Sequence, residues 1–249
     1  MSKKIIRPAI RKILQQFGYD IIKTNPVFTK GNLNKKLLLK EYAWLIEYDF
    51  KTIIDIGANE GQFTEKMRIL FPDATIIAFE PIPETFQRLQ FNFSNDSRIK
   101  LLNYGLGNTT GVTSFNLNNI TDSSSFLEMN ELHLNHFQKA TPKETIKVYI
   151  EKLDDVLIDH EIKYPLLVKI DVQGFEKEVI LGGMNTIRKA NAVISELSFK
   201  TLYNNQPLFD DIYKLLIQAG FSYAGNLEQL HSPDNNLILQ ADGFFTKQS

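Results

Sequence analysis

The sequence predicts an α/β fold, a mostly parallel sheet wound on both faces by helices. Three observations predict it. Short, nearly all-apolar runs recur from residue 52 to residue 197, as expected of strands covered on both sides. Helical stretches lie between several of them, the alternation that builds parallel sheets. Glycines follow the first run, where such a sheet presents its ligand-binding edge.

The strand runs are TIIDIG (52–57), TIIAFE (75–80), IKLLNY (99–104), PLLVKID (165–171) and NAVISEL (191–197). Helices are expected over 60–71, 84–93, 175–187 and 207–219. Residues 112–150 read as a β-rich excursion: VTSFNL, a Ser-rich turn at Ser123–Ser125, a polar helix, then TIKVYIEKL. FSYAGN and ADGFFTK form a closing pair of strands. An earlier helix is expected over 35–47, with Leu37, Leu38, Tyr42 and Leu45 as its apolar side.

A chain of 249 residues fits one large domain, or one domain plus an extension, and can bury a core without staples. The division expected is a basic helical extension over 1–50 and the α/β domain over 51–249. The composition, 43% apolar and 23% charged, is that of a soluble globular protein. With no cysteine, disulfides, thiolate chemistry and Cys-based zinc sites are excluded. That usage suits a cytoplasmic location. No apolar run approaches the ~18 residues of a membrane span.

The net charge of −1 hides an asymmetry. Residues 1–40 carry ten Lys/Arg against one acid, and the remainder 18 against 28. Within the arm, Ala9, Ile10, Ile13, Leu14 and Phe17 fall on one helical face and Arg7, Arg11 and Lys12 on the other. A short basic amphipathic helix of this kind has three candidate partners. These are its own domain, a second copy of the chain, or the anionic inner face of a membrane, where it would bind peripherally. Nucleic acid is not expected, because the arm lacks a reading motif and the body is acidic.

The first strand ends IIDIGANEGQFT (53–64). A dinucleotide fingerprint needs G-x-G-x-x-G and helix N–H groups facing a pyrophosphate. Here the middle glycine is absent, Glu60 falls where phosphates belong, and Asp55 adds negative charge. The turn suits a cationic ligand without phosphate, and S-adenosylmethionine (SAM), with its ammonium and sulfonium, fits. Gly57 and Gly61 tolerate positive φ, as does Asn59. Glu80 ends the second strand, where an acid commonly holds ribose hydroxyls.

A second constellation is KIDVQGFE (169–176). Lys169, Asp171 and Glu176 put three charges where an apolar strand reaches the same rim, and Glu196 ends the next strand. Buried carboxylates there need Lys169, a cation, water or a substrate hydroxyl as partner. A structural Lys169–Asp171 pair that caps the next helix at Gly174 is the competing reading.

IDIGANEGQFT, AFEPIPETFQRLQFN (78–92), NYGLGNTTG (103–111) and VKIDVQGFEKEVILGG (168–183) occur in the order found in the FkbM family of SAM-dependent methyltransferases, which this chain resembles from about Lys51 to Lys247. The resemblance implies a Rossmann-like SAM-methyltransferase fold of seven strands, the last antiparallel. It implies O-methylation of hydroxyls on sugars, glycans or secondary metabolites. By resemblance, Asp55, Gly57, Asn59 and Gly61 line the methionine part of SAM, Glu80 takes the ribose hydroxyls, Pro81 shapes the turn and Leu106 approaches the adenine. Where the family more often has Ala-Leu-Gly, this chain has Gly105-Leu106-Gly107. The Ser-rich stretch 123–125 matches one placed near the mouth of the site.

An alcohol becomes a good nucleophile once a base or metal takes its proton. Asp171, tuned by Lys169 and assisted by Glu196, is the candidate for that task. The same two acids offer oxygen ligands to a divalent metal such as Mg²⁺, although spacing supplies no third ligand. His133 and His136, at helical spacing, read as surface residues, His160 as a solvated helix end and His231 as a weak base candidate. Two other functions compete: a nicotinamide-dependent oxidoreductase on a related sheet, and a non-catalytic SAM-binding module.

Overall fold

The computed structural model describes residues 35–118, 124–128 and 142–247. The basic amphipathic helix, the polar helix of the excursion, Ser123 and the His133/His136 pair lie outside the described residues.

In chain order the elements begin with α1 (Lys35–Glu41), α2 (Ala43–Ile46), β1 (Thr52–Ile56), α3 (Gln62–Leu70), β2 (Thr75–Phe79) and α4 (Pro83–Phe93). They continue with β3 (Ile99–Leu102), β4 (Gly105–Leu106), β5 (Gly111–Asn118), β6 (Pro142–Glu151) and α5 (Leu153–Val156), which runs into a 3₁₀ turn. The remainder is β7 (Leu166–Ile170), α6 (Glu176–Gly182), α7 (Met184–Lys189), β8 (Ala192–Ser198), α8 (Phe209–Gln218), β9 (Phe221–His231) and β10 (Ile238–Lys247).

Seven strands form one sheet in the order β3-β2-β1-β7-β8-β10-β9. Its pairs are parallel from β3 to β8, and β10 runs antiparallel to both neighbours. Every residue of β1, β7 and β8 is buried, which is why these segments read as unbroken apolar runs. The order reverses between β1 and β7, so their carboxyl ends flank the switch point where open α/β sheets bind ligands.

The two faces have different chemistry because side chains alternate along each strand. On one face Ile54, Ile56, Val168, Ile170, Val193 and Leu197 join a single apolar cluster. On the other, Asp55 lies opposite Lys169, Lys169 opposite Ile194, and Glu196 opposite Asp242. Period two then brings Asp55, Lys169, Glu196 and Asp242 to one face near the carboxyl edge.

Two helices differ from expectation. The stretch over 175–187 is two helices, α6 and α7, that meet at Gly183. A Cβ on Gly182 would lie 1.9 Å from the Gly107 carbonyl oxygen, and one on Gly183 would lie 2.7 Å from Leu153. Close packing requires both glycines, and they interrupt the helix. The stretch over 35–47 also divides. Leu38 and Leu45 are buried as expected, but Leu37 faces outward. Here Trp44 packs edge-on against Phe244, and the Tyr42 hydroxyl donates to Glu228 at 3.1 Å.

The excursion forms a three-stranded sheet, β4-β6-β5, with its own core of Ile82, Phe115, Leu117 and Val148. Phe126 stacks between Phe115 and Phe175, which ties this small sheet to the segment after β7.

Candidate active site

Each acid at the switch point is held by its own set of donors. Asp55 is fully buried, behind the glycine turn rather than in the open. Its Oδ2 accepts from the Thr64 hydroxyl at 2.7 Å, and its Oδ1 lies 3.9 Å from Lys169 Nζ with no hydrogen-bond partner. Burial pushes its pKa up, against Lys169 and Thr64. The turn itself is left-handed at Gly57, Asn59 and Gly61, with φ of 81°, 51° and 98°. A Cβ on Gly57 would sit 1.9 Å from the Asp171 carbonyl oxygen, so only glycine lets β1 and β7 close at this point. Gly61 makes room for Phe93 and Leu89 of α4.

Glu80, 4% exposed, joins two turns. Its Oε2 accepts from Asn59 N–H at 3.0 Å and its Oε1 from Ile82 N–H at 2.8 Å. Each oxygen retains a second lone pair for a hydroxyl donor. Pro81 is half-buried beside it. Asn103 donates to the Glu80 carbonyl at 2.8 Å and is the exposed residue of its segment. Leu106, in β4, is 1% exposed and joins the main apolar cluster. Glu60 departs from expectation, since it turns toward α4 and pairs with Arg88 at 2.7 Å.

Across the switch point, Lys169 Nζ binds Asp171 Oδ2 at 3.0 Å and lies over the Phe63 ring at 5.1 Å. Burial works against its charge, but Asp171 and Asp55 outweigh burial and its pKa goes up. It is the one cation among the buried described residues. Gln173, which sequence reasoning passed over, donates from Nε2 to both Asp171 Oδ1 and Glu196 Oε1, each at 3.0 Å. The Tyr203 hydroxyl donates to Gln173 Oε1 at 3.1 Å. Asp242, also unassigned from sequence, faces Glu196 across β8 and β10. Gly174 N–H is bound by Glu176 Oε1 at 3.0 Å, so Glu176, not Asp171, closes the turn before α6. Glu176 also accepts from Val172 N–H at 3.1 Å. Ser125 donates to the Gln173 carbonyl and Ser124 accepts from Asn118 N–H, so both serines brace loops. His231 ends β9 as an exposed residue whose ring contacts the Asn236 carbonyl at 2.9 Å.

Five of these acids, Asp55, Glu80, Glu176, Glu196 and Asp242, hold protons more tightly than solvated carboxyls. Burial pushes Glu80 and Glu176 to about 7 and Asp242 to about 6, the last with help from Asp171. Raised carboxyl pKa values mean that the folded chain binds more protons than the unfolded one. Stability is therefore full below the ordinary carboxyl range and falls as pH rises through these values. Glu228 is shifted down, and its opposite effect lies in more acidic solution. The expected result is that the urea midpoint of the ligand-free chain falls from about pH 5 to about pH 8. A midpoint that rises over that range would contradict the arrangement.

This set of charges fits SAM. Four carboxyl groups, Asp55, Asp171, Glu196 and Asp242, surround one buried lysine, and Glu80 adds a fifth beside the glycine turn. Two of their buried oxygens, Asp55 Oδ1 and Glu196 Oε2, have no partner among the described residues. A pyrophosphate would meet like charge there, whereas an ammonium and a sulfonium meet opposite charge. The described residues show no group of three His, Asp or Glu side chains able to hold a metal ion.

A mostly parallel seven-stranded sheet with β10 reversed, and an acid-lined turn at its switch point, define a Rossmann-like methyltransferase. The profile of the methyltransferase FkbM domain matches residues 55–223. The chain belongs to the FkbM family of SAM-dependent methyltransferases. It is 29% identical over 173 residues to the 2-O-methyltransferase NoeI of Sinorhizobium fredii, a match covering 67% of this chain and 71% of that relative. It is 30% identical over 144 residues to the hexuronic acid methyltransferase AglP of Haloferax volcanii, covering 57% of this chain and 54% of that one. The crystal structure of methyltransferase FkbM from Methylobacillus flagellatus shares the fold, with a TM-score of 0.50 and 14% identity over 80% of this chain and 44% of that one.

Proposed function

We propose that the chain transfers the methyl group of SAM to a hydroxyl oxygen of a sugar or glycan, or of a secondary metabolite built around such hydroxyls. The observation that carries this reading is the Lys169–Asp171–Gln173–Glu196 network at the carboxyl ends of β7 and β8, directly beside the glycine turn. SAM supplies a methyl group on a sulfonium centre. When the acceptor oxygen bonds that carbon, the carbon–sulfur bond breaks, its electron pair stays on sulfur, and the hydroxyl proton must leave. Acids at the rim serve that proton, and fixed geometry supplies the rest of the rate. Asp171, 29% exposed at its side chain, is open enough to meet an acceptor. Asp55, Gly57, Asn59 and Gly61 shape the turn against the methionine part, and Glu80 takes the ribose hydroxyls.

The same charges select the acceptor. A carboxylate acceptor needs no base and would meet Asp171, Glu196 and Asp242 at like charge. A neutral hydroxyl meets acceptors for its proton. The names of NoeI, a 2-O-methyltransferase, and AglP, a hexuronic acid methyltransferase, support a sugar-like substrate. The test is incubation of the chain with deuteromethyl-SAM and a panel of hydroxylated and carboxylated sugars, with mass spectrometry of the products. The expected product is an ether that survives mild alkali. Label found only in alkali-labile esters contradicts the hydroxyl assignment, and a nicotinamide-dependent oxidation in the same panel supports the oxidoreductase reading instead.

A further inference from the structure

Asp171 and Glu196 carry four carboxylate oxygens between them, and three are engaged. Asp171 Oδ2 accepts from Lys169 at 3.0 Å, and Asp171 Oδ1 and Glu196 Oε1 each accept from Gln173 Nε2 at 3.0 Å. The fourth, Glu196 Oε2, is buried and has no partner among the described residues.

Gln173 makes this inequality a fixed feature. Its amide orientation is set by the two carboxylates, which only accept when ionised, so Nε2 faces them and Oε1 is left to the Tyr203 hydroxyl. Its backbone is left-handed, with φ of 54°, and its carbonyl accepts from Ser125 Oγ at 2.5 Å. Tyr203 remains protonated, because burial and then Glu196, Glu176 and Asp171 push its pKa up. Turning the amide over would lose both carboxylate hydrogen bonds and set Oε1 against the two acids.

We propose that Glu196 Oε2 is the atom that receives the acceptor hydroxyl's proton, and that Gln173 is the positioning residue that aims it. This deepens the hydroxyl-methylation reading and rests on it. As the acceptor oxygen forms its bond to the methyl carbon, its proton passes to Oε2 and Glu196 ends the step as a neutral acid. Asp171 is the poorer acceptor. Protonating it would discharge the carboxylate that balances buried Lys169, and breaking a buried ion pair is costly. Glu196 has no cation of its own. The charged and titratable groups around it are Asp171 and Lys169 from β7, Glu176 from α6, Asp242 from β10, and Tyr203 from the segment after β8. Burial, then Asp171, Glu176 and Asp242, push its proton affinity well above that of an ordinary carboxyl, with Lys169 opposing. A base of raised pKa suits catalysis near neutral pH.

The experiment uses the full chain carrying ¹³C-labelled glutamate carboxyl groups, titrated by NMR without ligand. Three glutamate resonances should titrate above the ordinary range, those of Glu80, Glu176 and Glu196, and the Glu196 resonance is the one assigned by substitution. It should vanish in Glu196→Gln, and it should move further up in Gln173→Met, which removes the donor that favours the charged form. Glu196→Gln keeps the oxygen that faces Gln173, so the fold should be unchanged while methyl transfer at saturating SAM falls by a factor of about 10²–10⁴. Should that variant fail to fold, Glu196→Asp keeps the charge on a shorter arm, and with ¹³C-labelled aspartate carboxyl groups its resonance should still titrate high. An ordinary pKa for Glu196 overturns the assignment whatever the activity. So does wild-type transfer in Glu196→Gln alongside its loss in Asp171→Asn, which makes Asp171 the base. If the wild-type chain binds SAM and methylates only carboxylates, the hydroxyl reading itself fails, and the proposal falls with it.

Discussion

Lys169→Met should destabilise the chain by about 3–5 kcal/mol at pH 8, the usual cost of removing one partner from a buried ion pair. Methionine keeps most of the side chain's bulk, so the loss is chiefly of the charge, including its place over the Phe63 ring. Asp55, Asp171 and Asp242 would then share a buried face with no cation. They can avoid the repulsion only by taking up protons. The destabilisation should therefore be smaller at pH 5 than at pH 8, and urea unfolding at the two pH values measures the difference. A cost under about 1 kcal/mol at both, the range of exposed pairs, would show that Lys169 is not the counterion of this cluster.

Glu80→Gln should weaken SAM binding by a factor of about 10² or more. A hydrogen bond to a charged acceptor is worth about 1.5–3 kcal/mol, and the change removes the charge that would receive two ribose hydroxyls. It also sets an amide N–H₂ against Asn59 N–H or Ile82 N–H, which loosens one of the two turns that Glu80 joins. Because its carboxyl titrates at about 7, wild-type affinity should rise between pH 6 and pH 8. That slope should disappear in Glu80→Gln. Calorimetric titration at both pH values gives both quantities, and equal affinity of variant and wild type would remove Glu80 from the cofactor site.

Much of this was legible because the signals are local. The strands are apolar runs bounded by turn residues, and Asp55, Gly57 and Glu80 end two of them. Lys169 and Asp171 stand two apart on a strand, so they share a face without any tertiary knowledge. The rest depends on register between distant segments. That Glu196 faces Asp242 follows only from the pairing of β8 with β10. Gln173 looked like a turn residue, and its role requires Tyr203, 30 residues away, to fix its amide. That Leu106 sits in a two-residue strand and packs into the core was likewise not readable from its neighbours in sequence. Gly182 and Gly183 are visible in the sequence as helix weakeners, yet the need for them lies in Gly107 and Leu153.

The most direct test of the account is a calorimetric titration of the folded, full-length chain with SAM and, separately, with NADH. The charge arrangement at the switch point predicts binding of SAM at micromolar concentrations and none of NADH, whose pyrophosphate would face Asp55, Asp171 and Glu196. Binding of NADH, or of neither ligand, would contradict the claim that this rim of carboxylates is built for a cationic nucleoside.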